Sequence, residues 1–213
     1  MLKENESILF NFSVFCQIMN DTNITWNETE YHKNYCSDII LQTTDEEYNE
    51  TENKIGYLEF WFLEGDRAYY DKINIVDYCD SIEQELYEYS KAIYKNGYID
   101  EDLIEIPLSN NILILHRIEI LKEYQGRELG ILISKKIIQY FGYNCGGILI
   151  KPSPIQYSDI SKKNNWMEKY ISKDFVKGKK SATSKLLNYW KKIDENIIKS
   201  NDKSILLIPH SSI

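Results

Sequence analysis

The residues best suited to chemistry lie between Ile112 and Gly130. A β-branched apolar run, Ile112–Leu121, passes through Lys122-Glu123-Tyr124 into Gln125-Gly126-Arg127-Glu128-Leu129-Gly130. Helical apolar spacing follows at once, with Ile133, Ile137, Ile138 and Phe141 on one face. A glycine-bearing turn at the head of a helix presents unpaired N–H groups and the positive end of the helix dipole, a combination that suits a phosphate. His116, inside the strand, is the side chain type best matched to proton transfer near neutral pH. Strict alternation places it on the face of Ile120, four residues on, with Glu119 on the opposite face. The other histidines, His32 and His210, fall in less ordered contexts. Cys16, Cys36, Cys79 and Cys145 are widely spaced, with no Cys-x-x-Cys pair and no histidine at zinc-ligand spacing. They read as reduced thiols, and no metal is expected.

The elements that must position these residues can be traced along 213 residues. Hydrophobic residues at 43% are enough for a sizeable core, and the length suits one domain over 1–213. Residues 8–18 and 55–63 read as strands, and 20–53 as a loop-rich region with one short element near Ser37–Leu41. A turn at Glu64-Gly65-Asp66 is expected to lead into a short strand through Ala68–Tyr70. Ser81 and Gln84 form a capping-box pattern for a helix carrying Ile82, Leu86, Tyr89 and Ile93, with Gly97 as its stop. Gly147–Lys151 is a strand ended by Pro152 and Pro154. A surface helix is expected over Asn165–Ile171, another over Lys185–Ile193 with Leu186, Leu187 and Trp190 buried, and a last strand over Ser204–Ile208.

Charge is divided unevenly. The net is −8, but residues 1–110 carry −17 and residues 162–192 carry +8. An acidic chain argues against nucleic acid and anionic membranes as partners. No apolar run approaches the ~18 residues of a membrane span, and the first residues are not those of a secretory leader. A cytoplasmic protein is the expectation.

The Ile112–Gly130 string resembles the acetyl-coenzyme A motif of the GNAT superfamily of N-acetyltransferases, an apolar strand followed by [RQ]-x-x-G-x-[GA] opening a helix. Gln125 takes the first motif position, Gly130 the last, and Gly126 fits the common R-G-x-G-x-G variant. Glu128 stands where glycine is usual. Gly146–Ile150 occupies the place of the strand after the motif helix, and Leu187–Ile193 is similar to the family's late tyrosine-bearing helix, with Tyr189 one residue early. The resemblance implies a single α/β domain: a mixed, mostly antiparallel sheet with a splayed parallel strand pair, flanked by helices. Residues 1–54 are then a variable portion and 155–180 an insertion.

It also implies a reaction, transfer of the acetyl group of acetyl-coenzyme A to a primary amine of a small molecule or peptide. Backbone groups of Ile118, Glu119 and Ile120 would pair with the pantetheine arm, and N–H groups of Gln125, Gly126, Arg127, Glu128, Leu129 and Gly130 would hold the pyrophosphate. An alkylammonium, with a pKa near ~10.4, must lose a proton before it can attack. His116 is the candidate base and Tyr189 the candidate acid for the leaving thiolate. The acidic first half favours a cationic acceptor. A module of the same fold that binds without turnover is the alternative, and a homodimer is left open.

Overall fold

A computed structural model describes residues 1–10, 12–15, 31–107, 109–154, 169–170 and 178–209. Four strands come first: β1 (Glu6–Phe10), β2 (Ser13–Phe15), β3 (His32–Thr44) and β4 (Glu50–Leu63). Helices α1 (Gly65–Tyr70), α2 (Ile75–Ile82) and α3 (Gln84–Ile93) follow, then a small hairpin of β5 (Tyr94–Lys95) and β6 (Tyr98–Ile99). The chain continues through β7 (Ile112–Ile120), a 3-10 turn at Lys122–Tyr124, α4 (Leu129–Phe141) and β8 (Gly147–Ile150). Helix α5 (Lys179–Trp190) and strands β9 (Ile198–Lys199) and β10 (Leu206–Pro209) complete it.

One sheet runs β1-β3-β4-β7-β8-β10-β9, with β2 also on β3. Among its described pairings, β7 with β8 is parallel and the rest are antiparallel. A parallel neighbour needs a crossover, and α4 supplies it. The mixed, mostly antiparallel sheet flanked by helices is the architecture the sequence led us to expect. Both sheet faces are covered. Trp61, Leu63, Ile112, Ile114, Leu149 and Leu207 pack with the α1–α3 side, while Leu58, Phe60, Leu113, Leu115, Ile148 and Ile150 pack with α4. Double coverage is why Ile112–Leu115 is continuously apolar rather than alternating.

Several elements differ from the sequence reading. Residues 32–44 are a thirteen-residue strand, not a loop-rich stretch. Its outer half pairs with the exposed Glu50–Lys54, so water on both faces removes the apolar alternation that marks a strand. Ala68–Tyr70 belongs to α1. Asp66 at its start donates its N–H to Asn111 Oδ1 (3.1 Å) and accepts from Ser109 Oγ (2.8 Å) and the Asn110 N–H (2.9 Å), which fixes a helical turn against aromatic β propensity. The capping box does not form. Ser81 Oγ donates back to the Tyr78 carbonyl, and extended Glu83 (φ −161°) divides α2 from α3. Gly97 (φ +83°), after Asn96 (φ +56°), makes the tight β5–β6 turn, where two left-handed residues match strand twist, rather than stopping a helix.

Helix α5 starts at Lys179, six residues before the expected Lys185, and ends at Trp190. Ala182, Leu187, Tyr189 and Trp190 are its packed residues, while Leu186 stays outside the core. The expected helix over Asn165–Ile171 lies outside the described residues except at Lys169 and Tyr170, as do residues 16–18 of the first strand. Among the described residues no helix is long and apolar enough to cross a membrane. Cys36, Cys79 and Cys145 are free thiols.

Gly56 marks the closest approach of β4 to β7, since a Cβ there would overlap the Glu119 carbonyl. Gly56→Ala is expected to destabilise the fold by about 1–3 kcal/mol as the strands separate. The urea midpoint measures it, and an unchanged midpoint contradicts the packing described.

Candidate active site

Two irregularities at one level of the sheet create the site. The parallel ladder of β7 and β8 runs from Ile112/Gly147 to Leu115/Ile150 and stops there, while β7 continues to Ile120. On its other side β7 carries a bulge: Phe60 pairs with Leu115 and Glu59 with Arg117, so His116 is the extra residue.

The bulge reverses the alternation expected for β7. Before it, Leu113 and Leu115 face α4; after it, Ile118 and Ile120 do. The His116 ring instead lies flat on Trp61 (centroids 3.9 Å, planes 18°) with Tyr89 edge-on at 6.3 Å, on the α1–α3 side. His116 and Ile120 therefore occupy opposite faces, a correction to the expected common face. Arg117 and Glu119 lie on the His116 side. Glu119 is buried and paired with Arg117 (Nη2–Oε1 2.5 Å), whose guanidinium sits 5.3 Å above the Tyr57 ring.

The backbone beyond the bulge has a definite direction. The Leu121 N–H donates to the Ile55 carbonyl, and the Glu119 carbonyl abuts Gly56. Glu119 and Leu121 thus turn their backbone groups toward β4, and Ile118 and Ile120 turn theirs away. Gln125 Nε2 reaches the Ile120 carbonyl at 2.8 Å and the Tyr170 carbonyl at 2.8 Å. No described strand is in register with Ile118 and Ile120 on that side. Of the three residues assigned to the arm, these two present backbone at the open edge and Glu119 does not.

At the head of α4, the N–H groups of Gly126, Arg127, Glu128, Leu129 and Gly130 find no acceptor among the described residues. Gly126 (φ +81°) and Glu128 (φ +57°) are left-handed, a conformation that turns successive amides toward a common centre. A side chain at Gly126 would meet nothing within 4 Å. The Gln125 N–H is taken by the Lys122 carbonyl at 3.4 Å. The Arg127 guanidinium is committed to Glu6. The Glu128 carboxylate turns to Lys192 (2.7 Å), which holds its pKa below the usual range. Neither charge is committed to the amide cluster, so the glutamate that departs from the family motif is accommodated.

Tyr189 comes from the far side of the α4 layer. Its hydroxyl accepts the Ile131 N–H at 3.2 Å, and a Cβ on Gly130 would lie 2.7 Å from it, so glycine is needed there. Burial raises its pKa against the opposing effect of the Ile131 N–H. Tyr189 and His116 thus sit on opposite faces of the sheet.

Around His116 stand residues the motif could not disclose. Glu59 accepts from Asn34 Nδ2 and Trp61 Nε1, both at 3.1 Å. Lys151, just past the end of β8, bridges Glu88 (2.6 Å) and Glu85 (3.8 Å). Burial pushes the Glu83 carboxyl up, and the charges of Glu85 and Glu59 push it further. Burial lowers the His116 pKa; Glu85 and Glu59 oppose the shift, and Arg117 and Lys151 add to it. Its Nδ1 is buried and has no hydrogen-bond partner. No group of three His, Cys, Asp or Glu suited to a metal ion occurs among the described residues.

The sequence matches no known family model and no curated protein, and no solved structure matches the chain.

His116 is expected to titrate below the ordinary histidine value of about 6.5. Glu85→Gln should lower that pKa further and Lys151→Met should raise it. The unfolded chain protonates this histidine more readily than the folded one. His116 therefore costs no stability above about pH 6.5 and destabilises the fold as pH falls toward its lower folded value. Imidazole NMR titration checks the order, and a wild-type value above 6.5 contradicts it.

Proposed function

We propose that the chain is an N-acetyltransferase of the GNAT type, moving the acetyl group of acetyl-coenzyme A to a primary amine of a small molecule or peptide. One juxtaposition carries the reading: a strand edge that loses its parallel partner lies beside five consecutive free amides at a helix head. The amides of Gly126–Gly130 suit a diphosphate, and the open backbone of Ile118 and Ile120 suits an extended, amide-bearing arm, as a strand would be added to an edge. Acetyl-coenzyme A supplies an activated acyl carbon and a thiol leaving group. His116, held neutral by burial, accepts the proton that an ammonium must shed. Glu59, Glu83 and Glu85 attract a cationic acceptor to it. The Tyr189 hydroxyl already accepts the Ile131 N–H, so its own proton is available to a developing thiolate.

A second reading, a binding module without turnover, is favoured by one observation: no hydrogen bond fixes the tautomer of His116.

Titration with coenzyme A should give a saturable heat, and thiol release in the presence of a cationic amine should show transfer. His116→Ala should reduce kcat by about 10²–10⁴-fold while coenzyme A still binds. KM for the acceptor should rise with salt as the carboxylates are screened. Binding without transfer across a broad amine panel selects the second reading, and the absence of heat removes both.

A further inference from the structure

The amide cluster at the head of α4 has a shape that needs support. Two of its residues, Gly126 and Glu128, are left-handed, and Glu128 has a Cβ that disfavours this conformation. Such a backbone persists when its surroundings over-determine it. Each flank is tied down: Gln125 by the Ile120 carbonyl, Ile131 by the Tyr189 hydroxyl. Arg127 alone stands between the two left-handed residues.

Arg127 carries the positive side chain of the Gln125–Gly130 loop, and a phosphate site would ordinarily use it directly. Here it is drawn instead to Glu6 on β1, 121 residues away in sequence. The carboxylate is well covered, with a side chain 7% exposed against 25% for Arg127. The Lys3 N–H donates to the same carboxylate at 2.9 Å, and with Arg127 it holds the Glu6 pKa below the usual range. Arg127 Nη2 also donates to the Met1 carbonyl at 3.4 Å. The other ion pair of the loop, Glu128–Lys192, is more than half exposed at both ends and is correspondingly weak.

We propose that Glu6 is a positioning residue for the nucleotide end of the acyl donor. Through Arg127 it holds the amides of Gly126–Gly130 in register for a diphosphate, so β1 sets donor affinity without touching the donor. The inference rests on the diphosphate reading of that loop.

The test uses the full chain with two donors, acetyl-coenzyme A and the acetyl thioester of N-acetylcysteamine, which lacks the nucleotide and its diphosphate. Misaligned amides should cost Glu6→Gln about ten- to a hundredfold in coenzyme A affinity. The same rise should appear in KM for acetyl-coenzyme A. Turnover of the short thioester should be unchanged, which also reports that the variant is folded. Arg127→Gln should reproduce the loss, and the double variant should add nothing to it, as expected for one shared interaction. Lys192→Gln should change affinity by less than about threefold.

Wild-type coenzyme A affinity in Glu6→Gln overturns the brace. So does an equal loss with both donors, which reports general damage. If the wild-type chain binds no coenzyme A, the loop reading fails and the brace fails with it.

Discussion

Parallel pairing in the middle of the sheet ends early, and the rest of the site follows from that. Beyond Ile150 the chain meets Pro152 and Pro154, which carry no N–H to donate to a ladder. At the same level β7 takes in an extra residue at His116 and turns its outer half over. The first event leaves Ile118 and Ile120 with backbone groups that no described strand answers. The second moves a titratable ring from the α4 face to a pocket walled by Trp61 and Tyr89. A regular strand pair would bury both: the edge under hydrogen bonds, the histidine under a helix.

The amides beside this edge are held by tightness rather than by charge. Gly130 lets the Tyr189 hydroxyl reach the Ile131 N–H, and Gly56 lets β4 lie against the Glu119 carbonyl. Each contact is a place where one methyl group would force two elements apart. The charged side chains of the loop are paired away from the amides, Arg127 to Glu6 and Glu128 to Lys192. What remains at the helix head is a neutral donor array, which binds an anion through orientation and the helix dipole.

The segment from Ile112 to Ile150 was legible because its signals are local. A buried strand, a glycine turn, helical spacing and a proline stop each lie within a few residues, and together they gave β7, α4 and β8 nearly to their ends. Long-range signals were not legible. The bulge at His116 is set by pairing with Glu59 and Phe60 across the sheet, so alternation along one strand assigned Glu119 and His116 to the wrong relative faces. Helix α1 depends on Ser109, Asn110 and Asn111, more than forty residues downstream. Glu59, Glu83, Glu85 and Lys151 come from four separate segments and share no motif. The acidic excess of the first half was visible, though not where it would gather.

That gathering explains how a buried histidine can serve an ammonium. Burial alone favours the neutral ring but would also repel a cation, since a low-dielectric wall penalises any charge brought to it. Glu59 and Glu85 act against that penalty, and they act on the acceptor and the ring alike. Arg117 and Lys151 limit the effect: without them the carboxylates would raise the ring's pKa and leave it protonated, unable to accept. Glu119 takes up Arg117, and Glu88 and Glu85 take up Lys151, so the positive charges stay on the walls. The pocket is thus negative enough to draw a cation and dry enough to keep its base unprotonated. Neither condition alone would move a proton from an amine to this ring.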